Sequence, residues 1–148
     1  MPYTQILYHI VFSTKKRERT LNPERHEELF KYIWGTIKNK KCHIYRINGV
    51  EDHLHILSSL HPTISLSNFI KDIKVSSSIW IKENKIFPFF ENWQDGYAAF
   101  TCSFENKTSL IKYIMNQKEH HRKISFKEEL ITLFKDAGIK FNEKYLFL

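Results

Sequence analysis

Between Gln5 and Ser13 apolar and polar positions alternate. Ile6, Tyr8, Ile10 and Phe12 make one apolar face, while Gln5, Leu7, His9, Val11 and Ser13 make a mixed one. This period-two pattern predicts a strand with one face in the core. A basic run, Lys15-Lys16-Arg17-Glu18-Arg19, leaves that strand as a loop. Asn22-Pro23-Glu24 reads as a helix start with Asn at the cap and Pro in the first turn. Leu29, Ile33 and Ile37, flanked by Phe30 and Trp34, continue the helical stripe to about Lys40.

His43–Ile47 and His53–Leu60 predict two more strands, joined as a hairpin through the Asn48-Gly49 turn signal. Pro62 ends the second of them. Ser65 can then cap a helix to about Glu83, whose buried stripe is Leu66, Phe69, Ile70, Ile73 and Ile79/Trp80. An aromatic loop, Phe87 to Gly96, leads into a fourth strand, Tyr97–Phe104. Asn106-Lys107-Thr108 opens a helix running to about Arg122, and Phe126–Ala137 gives another, stopped at Gly138; the aromatic tail Phe141–Leu148 should dock. The order is β-α-β-β-α-β followed by two helices. It predicts an α+β, ferredoxin-like fold with an antiparallel sheet, two helices on one face and the other face open for a partner.

Composition narrows the class. The chain has 148 residues, within the span of a single domain over 1–148. Hydrophobic residues are 42% and charged residues 26%, as in a globular protein. No apolar run approaches the ~18 residues of a membrane span, and no signal peptide is evident. Cys42 and Cys102 lack metal-ligand or disulfide-framework spacing, so a cytoplasmic location is expected. Lys and Arg number 23 against 16 Asp and Glu, a net charge of +7 that fits a polyanionic partner.

Two short patterns carry candidate chemistry. In His53-Leu54-His55 the two imidazoles lie two residues apart on a strand and share a face, while Leu54 and Ile56 point to the core. Alone, the pair also reads as two half-exposed strand histidines. In Tyr113-Ile114-Met115-Asn116-Gln117 the tyrosine and glutamine sit one helical turn apart, and alone Tyr113 also reads as a core residue. His120-His121 reads most simply as solvated histidines near a helix C-terminus. His9 reads as a satisfied strand histidine that can also approach the site, and Lys71, Lys74 and Lys82 as a solvent face.

Taken together, these patterns resemble the HUH single-tyrosine insertion-sequence transposases. The likeness runs through Tyr8-His9-Ile10-Val11-Phe12, Asp52-His53-Leu54-His55-Ile56-Leu57, Gly96-Tyr97-Ala98-Ala99-Phe100, Tyr113 to His121 and Gly138-Ile139-Lys140-Phe141-Asn142. The resemblance implies a DNA transposase that cleaves and rejoins single-stranded, hairpin-bearing element ends. Tyr113 would be the nucleophile of a 5′-phosphotyrosine intermediate, and His53, His55 and Gln117 the ligands of one Mg²⁺ or Mn²⁺ ion. The metal and local positive charge are expected to favour the phenolate. A homodimer is implied, and no nucleotide cofactor or membrane. Lys15, Lys16, Arg17 and Arg19 are candidate phosphate clamps. The alternatives are an HUH replication initiator or relaxase, a domesticated repeat-associated relative, and a non-catalytic ferredoxin-like module binding single-stranded nucleic acid.

Overall fold

A computed structural model describes residues 2–145 of the chain; the expected docking of Leu146, Phe147 and Leu148 lies outside them. The elements are β1 (Leu7–Ser13), α1 (His26–Asn39), β2 (Ile44–Gly49), β3 (His53–Ser59), α2 (Leu66–Glu83), β4 (Ala98–Cys102), α3 (Lys107–Met115), α4 (Gln117–His120) and α5 (Phe126–Asp136). The four strands form one antiparallel sheet in the order β2-β3-β1-β4. This is the α+β, ferredoxin-like arrangement that the element order predicts.

Alternation in β1 sorts the two faces. Ile10 and Phe12 join Leu54, Ile56 and Ile47 under α1 and α2, where Leu29, Ile33, Ile37, Phe69, Ile70 and Ile73 close the main core. Residues paired across antiparallel strands share a face. The registers Val11↔His55, Ser13↔His53 and His9↔Phe100 therefore put these three histidines together on the other side. That side is not open. Val11, Ala98 and Phe100 pack on Phe126 and Leu130 of α5, and Leu7 and Leu57 pack on Ile114 of α3. The apolar residues interleaved with the histidines require a cover, and the chain's own C-terminal helices supply it.

Several local expectations are corrected. Asn22 makes no capping hydrogen bond, and α1 is entered through a 3₁₀ turn at Pro23–Arg25. Asn48-Gly49 is not the turn but the end of β2, paired with His55 and Leu54. Asn48 is buried and donates from Nδ2 to the carbonyls of Ile114 and Met115 at 2.9 and 3.1 Å, pinning the end of α3 to the sheet. A Cβ at residue 49 would stand 2.5 Å from the His53 carbonyl oxygen, so glycine serves a close approach there. Ile79 is 51% exposed, and Ser77 and Ile81 continue the α2 stripe at four-residue steps from Ile73. Lys74 turns inward, its Nζ donating to the carbonyls of Gln94 and Gly96 at 2.8 and 2.5 Å, which ties down the aromatic loop. Trp93 is buried and its Nε1 donates to Ser77 Oγ at 2.9 Å. The helix after Asn106 breaks at Asn116 and restarts as α4 at Gln117.

Candidate active site

β3 delivers His53 and His55 into the space between the sheet and α5, and both are fully buried. Opposite them stands Glu129, in the first turn of α5. Its start is fixed by a Ser125/Glu128 capping box, which consumes Glu128 and leaves Glu129 one step round the helix toward the sheet. Glu129 is 1% exposed.

Three imidazoles converge on one carboxylate oxygen. Glu129 Oε1 lies 3.0 Å from His55 Nε2, 2.9 Å from His121 Nε2 and 3.2 Å from His53 Nε2. Glu129 Oε2 accepts from Gln117 Nε2 at 2.8 Å and from the Tyr113 hydroxyl. His120 Nε2 stands 3.4 Å from the same oxygen. His9, buried behind them, meets His55 Nδ1 through its Nε2 at 2.8 Å. It is thus both a satisfied strand histidine and a neighbour of the site.

The far side of each ring fixes what the near side can do. His121 Nδ1 lies 3.0 Å from the Ile124 carbonyl, which only accepts, and His53 Nδ1 lies 2.7 Å from Asp52 Oδ1. Both Nδ1 atoms are therefore N–H donors, and in the neutral rings the Nε2 lone pairs point at Glu129. His53 Nε2 and Gln117 Oε1 are buried without a hydrogen-bond partner among the described residues. Two such orphaned buried atoms facing a carboxylate are unfavourable unless a positive charge joins them. His53, His55, His121 and Glu129, whose ligand atoms lie within 4.8 Å of one another, can hold a divalent metal ion.

The titration behaviour follows from the same contacts. Burial holds His55 down to about 4 and His9 down to about 3, so both are neutral. Burial also opposes charge on His53, but Asp52 and Glu129 outweigh it and the net direction is upward. Burial would raise Glu129, yet the close approach of His121, His53 and His55 holds it far below the usual carboxylate range. Tyr113 is pushed well above its ordinary value, by burial first and by the Glu129 charge second. The charged group in contact with the phenol is the Glu129 carboxylate.

The predicted site residues His53, His55, Tyr113 and Gln117 all meet at this point, and Tyr113 stands beside the histidines of its own chain, with its ring 5.9 Å from that of His55. Gln117 presents its amide nitrogen, not its oxygen, to Glu129. The solvated reading of His121 is overturned. α4 makes one turn, with His121 N–H bonded to the Gln117 carbonyl at 3.0 Å, and this turn carries His121 inward under α5. Glu129 was not identified from the sequence, and its only signal is its place after a Ser-x-x-Glu cap. In the basic run Lys15 turns away to Glu91 at 3.2 Å, while Lys16, Arg17 and Arg19 line a cavity next to the site.

Residues 2–117 match the family model described as "Transposase IS200 like". The chain belongs to the IS200-like transposase family. This is the single-tyrosine family that the motifs resemble, and membership implies DNA cleavage and strand transfer. The chain is 29% identical over 125 residues to the IS200 transposase of Salmonella typhimurium, covering 78% of each protein. It is 22% identical over 125 residues to the ISDra2 transposase TnpA of Deinococcus radiodurans, covering 78% of this chain and 86% of that one. Two solved structures share the fold. A Deinococcus radiodurans protein described as a transposase superposes with a TM-score of 0.61 at 21% identity, covering 79% of this chain and 95% of that one. A REP-associated tyrosine transposase, solved bound to a REP hairpin, gives 0.61 at 14% identity, covering 82% and 74%. The family match ends at Gln117, so His121 and Glu129 lie beyond it. Among the described residues no helix is long and apolar enough to cross a membrane.

Proposed function

We propose that this transposase cuts and rejoins single-stranded, hairpin-bearing DNA through Tyr113. One observation carries the reading: a single carboxylate, Glu129, touches the Tyr113 hydroxyl with one oxygen and the histidine group with the other. A scissile phosphate needs the same two contacts, a nucleophile on one side and a cation site on the other. His53, His55, His121 and Glu129 would hold the ion, with Gln117 Oε1 as a further donor. Three imidazoles and one carboxylate suit Mn²⁺ better than Mg²⁺, which prefers all-oxygen surroundings. A bound divalent ion supplies Lewis-acid polarisation of the phosphate and neutralises charge that develops on its oxygens.

In the cut, the Tyr113 oxygen bonds to phosphorus and the bond to the 3′ oxygen breaks. The proton the phenol gives up is passed on, so that the 3′ oxygen leaves as a hydroxyl, and the 5′ phosphate stays on Tyr113 as a diester. The reverse attack by a 3′ hydroxyl rejoins the strand without ATP, because the diester is retained. With Glu129 against it, the phenol holds its proton and its space is filled. Attack by Tyr113 requires its contact with Glu129 Oε2 to open, while Oε1 stays with the histidines. Tyr113 lies beside its own chain's histidines, which supports a site built within one copy, and dimerisation would serve the pairing of two DNA ends.

The hairpin-bound REP-associated relative supports a hairpin partner. A purely binding module would need an accessible sheet face, and here that face lies under α3 and α5. The test is a denaturing gel of 3′-end-labelled hairpin oligonucleotides incubated with protein and Mn²⁺. Label should shift to a protein-linked species that disappears in Tyr113→Phe and on chelation. Tight binding with no such species across a broad set of hairpins would contradict the reading.

A further inference from the structure

A cavity of about 590 Å³ opens beside the histidine group, between the basic exit of β1, the β2–β3 turn and the α4–α5 junction. His121 and Asp52 form the wall it shares with the site, and through them it adjoins His53. The rest of its lining is divided by chemistry. Lys16, Arg17, Arg19, Lys118 and Arg122 give five basic side chains against two acidic ones, Glu51 and Asp52. Asp52 is engaged by His53 and lies in the field of Arg19, though not in ion-pair contact with it. Among the described residues Lys16, Arg19 and Lys118 form no ion pair, and Arg122 has only an exposed contact with Glu119 at 3.4 Å. Pro23, Val50 and Ile124 supply an apolar floor.

Cations drawn from two separate segments, the β1 exit and α4 with its exit, repel one another across the rim, which an anion would relieve. An apolar floor beneath a cationic rim matches a base with its phosphate, and the volume lies within the ~300–1,000 Å³ of ligand pockets. We propose that this cavity seats one unpaired nucleotide of the single-stranded DNA, adjoining the scissile phosphate. The base lies on Val50 and Ile124, and the phosphate lies against Arg19 and Lys118. The assignment rests on the proposed DNA chemistry for its place along the strand, but its binding test does not need that chemistry.

The experiment is fluorescence anisotropy of a labelled oligothymidylate of about ten nucleotides, with chelator present so that no strand is cut. Arg19→Ala and Lys118→Ala should each weaken binding about five- to tenfold and reduce the slope against log salt by about one. Lys71→Ala, on the exposed face of α2, should leave both unchanged. Thymidine 5′-monophosphate should displace the oligonucleotide at much lower concentration than inorganic phosphate. Equal losses in all three variants would mean a diffuse charge effect and overturn the proposal. Equal competition by phosphate and the nucleotide would mean an anion site with no base seat, and also overturn it. If these variants behave as expected but no protein-linked DNA forms, the cavity stands and the tyrosine chemistry fails. The opposite pair of results refutes the cavity alone.

Discussion

At the scale of single residues, the site is a set of imidazoles whose outer nitrogens are committed before the inner ones are used. Asp52 and the Ile124 carbonyl set two of the tautomers. The His53/His55 pair and Tyr113/Gln117 were legible because period two and one helical turn place them on common faces. Glu129 was not, since nothing local distinguishes it from Glu128, and only the cap decides which one faces the sheet. The buried histidines make a pH prediction. His9 and His55 titrate at about 3 and about 4 when folded, but near 6.5 when unfolded. As pH drops from about 6.5 toward 4, the unfolded chain binds up to two more protons, and stability falls by at most about 2.7 kcal/mol per pH unit. His53 has the opposite sign: its raised value adds stability that is full below about 6.5 and is lost as pH rises through the folded value. The metal-free protein should therefore show its highest Tm near neutrality and a marked fall by pH 5 in a thermal scan across buffers. A Tm that rises on acidification would contradict the neutral, buried assignment.

At the scale of elements, β3, α3–α4 and α5 each contribute one side of the site. Strands and helices were legible from periodicity, as were their faces: the alternation in β1 separates Ile10 and Phe12 from His9 and Val11. The cover over the second face was foreshadowed by Leu7, Val11 and Phe100, but the sequence alone does not say which element meets them. The break at Asn116 was hidden because Asn48, 68 residues earlier, sets it by holding the carbonyls of Ile114 and Met115. α5 brings Glu129 to the Nε2 side of the histidines, opposite the Asp52 carboxylate at His53 Nδ1. Glu129→Gln keeps its size and removes its charge. Mn²⁺ affinity measured by calorimetry should fall about 10- to 100-fold, as when a ligand or its close support is lost. Unchanged affinity would exclude Glu129 from the ion's shell and leave it only as the partner of Tyr113.

At the scale of the molecule, the charge of +7 is not spread evenly in its consequences. Lys15 and Lys74 are spent on internal contacts with Glu91 and with loop carbonyls, whereas Lys16, Arg17, Arg19, Lys118 and Arg122 gather at the mouth of the site. The aromatic excess divides in a similar way. Phe12, Phe69, Phe87, Phe90 and Trp93 fill the main core, and among the described residues Tyr113 is the tyrosine that touches the histidine group. The central claim is that this one phenol carries the DNA. Residues Tyr113–Lys118 form a tryptic peptide containing a single tyrosine. After reaction with a hairpin oligonucleotide and Mn²⁺, nuclease trimming and trypsin digestion, mass spectrometry should find that peptide heavier by a 5′-phosphonucleotide. DNA cleavage with the nucleotide on another tyrosine, or on none, would contradict the account.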